Sequence, residues 1–382
     1  MSEPSRPPLS SLVAGRRVVL AHDWLTGMRG GEKVLESLCR LLPGADLVTL
    51  VHVKGSVSPL IEARRIRTSI IQRFPRPGTF YRHYLPAFPA AIELFDLDAA
   101  DLIVSTSHCA AKAVVPTGRA LHVCYCHSPM RYAWDQFDAY FGRERVGAAG
   151  NAVLRPVLAW LARWDRATAH RVDHFVANSH YVAGRIARYY NRRATVLYPP
   201  VDTQFFTPGG DPPHPYFLVV SALVPYKRID VAIDAAARLR VPLKIVGTGP
   251  DLARLRARAG AGVEFLGQLD DEPLREAYRT AQAVLLPGEE DFGIVPVEAM
   301  ASGRPVVALG RGGARETVVD GSTGVLVEDD SPEAFADGMA RAARLRVDPA
   351  ALRAHAARFS VQRFEAALQD VLVETLAVER EW

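Results

Sequence analysis

Residues 285–308 read Leu285-Leu-Pro-Gly-Glu-Glu-Asp-Phe-Gly-Ile-Val-Pro-Val-Glu-Ala-Met-Ala-Ser-Gly-Arg-Pro-Val-Val-Ala308. An apolar run, an acidic Gly-bearing loop, a helical pattern, a small-residue turn and a second apolar run follow one another. That order is strand, loop, helix, turn, strand, the unit from which parallel sheets are assembled. Pro296 suits a first helical turn, where its missing N–H costs nothing. The amides of Gly293, Ile294 and Val295 then form an anion site, reinforced by the helix dipole. Glu290 falls on the loop at the carboxyl edge of the strand, and Glu298 lies on the helix one turn beyond Ile294. A carboxylate repels phosphate but accepts hydrogen bonds from sugar hydroxyls. Two glutamates flanking such a helix start therefore read as a site for a sugar nucleotide. Taken alone, a pair of glutamates eight apart is common by chance and reads first as ordinary exposed acid.

Outward from this stretch the same alternation continues. Strands are expected at Arg17–Ala21, Asp46–Leu50, Leu102–Ser105, His122–Cys126, His174–Ala177 and Thr195–Leu197, with helices at Glu32–Leu41, Val153–Ala169 and Tyr181–Tyr190. The second half repeats the theme. Its strands are Tyr216–Ser221, Leu243–Val246, Val263–Phe265, Ala283–Pro287, Pro305–Ala308 and Gly324–Val327. Its helices are Arg228–Arg238, Asp251–Arg258, Glu272–Ala281, Val295–Ala301 and Pro332–Arg346. Between the halves lie Tyr198-Pro-Pro-Val-Asp and Phe206-Thr-Pro-Gly-Gly-Asp-Pro-Pro-His-Pro215, too rich in Pro and Gly to continue either element. The expectation is an α/β chain of two doubly wound domains, residues 1–200 and 201–355. After about residue 355, Phe359, Phe364, Leu368, Val371 and Leu372 set out an amphipathic helix, 356–382. Ligands of open parallel sheets sit beyond the carboxyl ends of the strands, so a cleft between the domains is the expected site.

A second chemical element is Val219-Val-Ser-Ala-Leu-Val-Pro-Tyr-Lys-Arg-Ile-Asp230. Lys227 stands between a strand end and a helix start, where an ammonium can neutralise a diphosphate leaving group. The chain has only five lysines against 41 arginines, which singles this one out from general surface charge. His127 follows a strand in which Cys124 and Cys126 alternate. Cys-x-Cys-His matches no ordinary zinc pattern, which leaves a satisfied structural imidazole or a ligand contact. Gly247-Thr-Gly-Pro follows a strand but lacks the third glycine of a dinucleotide fingerprint and reads as a turn.

Val224-Pro-Tyr-Lys-Arg-Ile-Asp, Ile245-Val-Gly-Thr-Gly-Pro, Glu264-Phe-Leu-Gly and the stretch from Pro287 to Val306 together resemble a glycosyltransferase of family 4. Upstream, Ala21-His-Asp-Trp-Leu-Thr-Gly-Met-Arg-Gly-Gly-Glu-Lys-Val-Leu-Glu36 and Cys124-Tyr-Cys-His-Ser-Pro-Met-Arg-Tyr-Ala-Trp-Asp135 resemble the mannosyltransferases of O-antigen and exopolysaccharide assembly. The resemblance spans about residues 17 to 330. It implies the GT-B fold, retention of configuration, no metal or cofactor, and a nucleotide diphosphate sugar as donor, with GDP-mannose preferred. It implies that Glu290 holds donor-sugar hydroxyls, Glu298 the nucleoside ribose, Lys227 the diphosphate, and His127 the donor hexose. It puts the Gly27–Gly31 loop, with Gly30 and Gly31, against the donor phosphate. Gly247, Leu266 and Gly267 would lie near the base. Phe292, Gly293, Ile294 and Val295 would border the donor, and His22, Asp23 and Arg131 would face a glycan or lipid-linked acceptor. One departure stands out. Many members carry an arginine five residues ahead of the lysine, and here that residue is Ala222; Arg228 is the substitute the sequence offers.

Length and composition set the outer bounds. With 382 residues, 49% hydrophobic and 23% charged, the chain is ordinary globular material of two-domain size. Four cysteines without a CxxC pair exclude a disulfide scaffold and fit a reducing cytoplasm. No apolar leader and no membrane-length apolar run is present. Lys and Arg outnumber Asp and Glu 26 to 15 in residues 1–200, whereas the balance is 20 to 27 beyond them. A basic first half suits plain solvated arginine, or peripheral contact with the anionic inner face of a plasma membrane. Arg64, Arg65, Arg67, Arg73 and Arg76, with Tyr81 and Tyr84, are the residues expected at such a contact; nucleic acid is not an expected partner. Three competing readings remain: an epimerase of the same architecture, whose acid–base residues find no place here; a non-catalytic nucleotide-sugar binder; and a dehydrogenase, disfavoured by the missing fingerprint.

Overall fold

The computed structural model describes residues 8–116, 118, 120–137, 141, 143–210 and 212–377. Chain contacts divide it into two units, residues 1–200 with 362–382 and residues 201–361.

The first unit is built on a seven-stranded parallel sheet. Its strands are β1 (Val18–His22), β2 (Asp46–Thr49), β3 (Ile66–Thr68), β4 (Leu102–Ser107), β5 (Leu121–Cys126), β6 (His174–Ala177) and β7 (Ala194–Val196), in the order β3-β2-β1-β4-β5-β6-β7. Successive side chains point to opposite faces. Leu20 and Val104 enter one apolar cluster with Leu35 and Leu38 of the helix Gly30–Leu41. Val19 and Ile103 enter another with Phe88 and Leu161. Every residue of β1 and β4 is buried, as a sheet covered on both faces requires. The six strands expected in this half are present. β3 was not foreseen, because Ile-Arg-Thr carries no apolar run; its place at the sheet edge is fixed by pairing with β2.

The second unit has a six-stranded parallel sheet: β8 (Phe217–Val220), β9 (Leu243–Val246), β10 (Val263–Gly267), β11 (Ala283–Leu286), β12 (Val306–Leu309) and β13 (Gly324–Val327), ordered β10-β9-β8-β11-β12-β13. Phe217, Val219, Ile245, Leu285 and Val307 pack with Phe335 and Met339 of the helix Pro332–Arg344. Both sheets are doubly wound. Chain order reverses between β1 and β4 in one and between β8 and β11 in the other, the points at which such sheets open a crevice.

The Pro/Gly segment that follows residue 200 is held on the second unit. Arg279 donates to the Thr207 carbonyl at 2.7 Å and to its hydroxyl at 2.6 Å. The terminal helix runs Val361–Ala377. Phe364, Leu368, Val371 and Leu372 join the Leu20 cluster of the first unit. Phe359 does not lie on that helix, contrary to expectation; it precedes it and packs on Phe292 of the second unit, ring centroids 5.6 Å apart. No helix of the described residues is long and apolar enough to cross a membrane.

Candidate active site

In the second unit, the loops after β8 and β11 flank the switch point and lie backbone to backbone. A Cβ on Gly288 would stand 2.7 Å from the Lys227 Cα, so only glycine lets them approach. Lys227 and Glu290 are thereby brought into a direct ion pair, with each side chain 14% exposed. The Glu290 backbone is fixed in turn. Its carbonyl accepts from the Gly313 amide at 2.9 Å, and it bridges to Gly312, where a Cβ would stand 2.3 Å from that oxygen.

Gly293 takes φ +84° and opens the helix Ile294–Ala301 with no side-chain cap. The amides of Ile294 and Val295 have no partner within the helix, and Pro296 contributes none. These are the amides that the sequence reading offers to an anion. Glu298 accepts the Tyr278 hydroxyl at 2.7 Å. Tyr278 is fully buried, and burial together with the Glu298 charge pushes its phenol well above the ordinary range, so it stays protonated and donates to Glu298. Gly247, at φ +132°, would place a Cβ 1.9 Å from the Ser221 carbonyl oxygen, and its amide donates to Gly267 at 2.7 Å. The ends of β8, β9 and β10 thus converge, with Leu266 half-buried beside them.

Two of the residues expected at the donor have side-chain partners within the unit. Arg228 is a left-handed residue whose guanidinium pairs with Asp330 and lies 3.6 Å from Asp230. Two carboxylates thus stand beside the guanidinium that the sequence offers in place of the arginine missing at Ala222. The Phe292 side chain is buried against Phe359, which leaves only its backbone at the loop.

In the first unit, three histidines follow adjacent strand ends. His22 closes β1, His108 comes just after β4, and His127 just after β5. His22 Nδ1 lies 2.5 Å from the Thr106 hydroxyl. Its Nε2 is buried without a hydrogen bond, as is the Nε2 of His127. A Cβ on Gly31 would meet His127 Nε2 at 3.4 Å and His22 Cε1 at 3.7 Å, so the bare Gly30-Gly31 helix start faces both rings. Burial, helped by His108 and His22, pushes the His127 pKa down to about 3, which keeps the imidazole neutral. Burial also lowers His108, outweighing the opposite pull of Asp23. Arg131 starts the short helix Arg131–Trp134 and bears electrostatically on His108.

The structure reassigns Asp23. It is fully enclosed, and its two oxygens accept the amides of His108, Cys109, Ala110 and Ala111 at 2.6–3.0 Å. Burial alone would raise its pKa, but His108, His22 and these amides hold it below the usual carboxylate range. Asp23 therefore positions the His108 loop and does not face an acceptor. Sequence reading missed His108 itself. The available signal was three strands each ending in histidine, but only the sheet order makes those strands neighbours.

The model for "Glycosyltransferase Family 4" matches residues 28–205, and that for "Glycosyl transferases group 1" matches residues 214–344. The chain belongs to glycosyltransferase family 4. A D-inositol 3-phosphate glycosyltransferase of Geodermatophilus obscurus is 34% identical over 225 residues, half of each chain. That of Mycolicibacterium smegmatis is 33% identical over 242 residues, 56% of this chain and 55% of its own. The chain thus spans about half the length of the curated relatives it matches. The fold is that of Anabaena HepE, solved in complex with UDP-glucose, at TM-score 0.69 and 19% identity over 94% of this chain and 99% of that one. Sucrose-phosphate synthase of Thermosynechococcus elongatus gives TM-score 0.69 at 20% identity, over 95% and 100%. With two Rossmann-like units the family member has the GT-B fold.

Proposed function

We propose that this family 4 protein is a retaining glycosyltransferase that moves a hexose from a nucleotide diphosphate sugar to a glycan or lipid-linked acceptor in polysaccharide assembly. The observation that carries the reading is the Lys227–Glu290 pair beside the uncapped helix start at Gly293. Here a diphosphate finds backbone amides and one ammonium, while carboxylates are within reach for sugar hydroxyls. In the reaction the bond from C1 to the β-phosphate oxygen breaks. The acceptor oxygen bonds to C1 on the same face, and the departing phosphate takes its proton. Lys227 stabilises that phosphate, Glu290 holds the hexose, and Glu298 takes the ribose. The motif resemblance favours GDP-mannose as donor.

Thermal melting with GDP-mannose, UDP-glucose, UDP-GlcNAc and NADH tests this, because a ligand selective for the folded state raises its melting temperature. One sugar nucleotide should stabilise the wild type, and Lys227→Ala should lower its affinity by about a hundredfold. Stabilisation by NADH alone, or by nothing at millimolar ligand, sinks the proposal.

A further inference from the structure

We propose that Arg185 is a positioning residue of the transfer site: through Ser128 and Asp135 it holds the segment 127–135, which carries His127 and Arg131. This rests on the transferase reading, because the family resemblance sets those two side chains against the donor hexose and the acceptor.

Segment 127–135 leaves the end of β5 and contains the short helix Arg131–Trp134. Beyond a strand end the sheet no longer fixes the backbone, so the shape of such a loop comes from side chains of a neighbouring element. Here that element follows β6, the strand paired with β5, and consists of Asn178 and the helix His180–Tyr190. The Asn178 side-chain amide donates to the His127 carbonyl at 3.0 Å. Arg185 then spans the segment. Its Nη1 donates to Ser128 Oγ at 2.9 Å and its Nη2 to Asp135 Oδ1 at 2.9 Å. Ser128 comes directly after His127, and Asp135 closes the helix Arg131–Trp134. One planar fork thus ties the two ends of the segment together. Tyr189 completes the clamp: its hydroxyl lies 3.2 Å from Asp135 Oδ2, and its ring stacks on Trp134 with centroids 4.6 Å apart.

Packing alone does not call for this arginine. Arg185 is 6% exposed, and an apolar side chain of similar volume would fill the place without the cost of desolvating a guanidinium. The helix already puts Val182, Ile186 and Tyr190 into an apolar cluster with Phe175 and Ala177. What the fork adds is direction, since it fixes two acceptors at once, which the point charge of a lysine does not. Direction matters at a reacting centre. A displacement of about 1 Å there costs rate, while binding of the nucleotide elsewhere is untouched.

The test combines hydrogen–deuterium exchange of the full chain with steady-state transfer from the sugar nucleotide that stabilises the wild type. In Arg185→Gln the amides of 127–136 should exchange about tenfold faster, with those of the second unit unchanged. The kcat should fall about tenfold or more. Affinity for the nucleoside diphosphate by calorimetry should stay within about twofold, because the transferase reading gives it to the second unit. Arg185→Lys should resemble Arg185→Gln. Asp135→Asn keeps an acceptor for the guanidinium and should stay near wild type, whereas Asp135→Ala should not. Should Arg185→Gln fail to fold, Ser128→Ala removes one prong and carries the same comparison with a smaller loss. The proposal is overturned by unchanged exchange of 127–136, by wild-type kcat in a variant whose segment has loosened, or by nucleoside diphosphate affinity falling as far as kcat. A wild type that transfers sugar from no nucleotide sinks the transferase reading instead. Exchange needs no substrate, so the two failures are told apart.

Discussion

The two sheets end in crevices of the same topology, yet they spend their charged groups differently. After β8 and β11, Lys227 and Glu290 neutralise each other at a partly open rim, and the helix amides beside them are left for a ligand. After β1 and β4, the Asp23 carboxylate is sealed and consumed by four amides. The second crevice thus keeps its ion pair at the rim, whereas the first uses a buried charge to hold the His108 loop in place. There His127 is held uncharged by burial, and His22 Nε2 lies 3.7 Å from the Glu32 carboxylate. A site that binds phosphate needs exchangeable cations. One that orients hydroxyls needs rigid, uncharged hydrogen-bonding groups.

The largest expected effect is at Asp23. Asp23→Ala leaves four buried amides without an acceptor and should destabilise the first unit by about 3–5 kcal/mol, read by urea unfolding. A loss below about 1 kcal/mol would mean that water replaces the carboxylate, and the contrast between the crevices would fail. Acid should sharpen the same contrast. Burial lowers His122 to about 4 and His127 to about 3, from an ordinary 6.5. The unfolded chain therefore binds protons that the folded unit refuses, and stability falls as pH drops from 6.5 toward 4. Below that, Asp23 and Glu32, both lowered, add losses as they protonate. His122→Gln should flatten the first part of this slope, and a slope that is already flat in the wild type would contradict the buried neutral imidazoles. The smallest effect concerns the second unit. Tyr278→Phe removes the hydroxyl that orients Glu298, and sugar-nucleotide affinity by calorimetry should fall about fivefold. An unchanged affinity would detach Glu298 from the ribose.

The stretch 285–308 was legible because its chemistry is local. A strand, an uncapped helix start and two glutamates at fixed spacing sit within one supersecondary unit, so period and turn residues settle their placement. The same holds for twelve of the thirteen strands, each an apolar run between helices. Pairing partners are not local. That Lys227 would meet Glu290, that Asp330 would claim Arg228, and that Asp23 would cap a loop 85 residues away depended on which strands became neighbours. β3 likewise has no signal of its own and exists because β2 offers it an edge. By itself, then, the sequence determined the alternation of elements, the two doubly wound units and the motif residues, because short-range periodicity encodes them. The tertiary structure decided which charges are free and which are spent, because ion pairs and buried carboxylates are set by contacts between segments far apart in the chain.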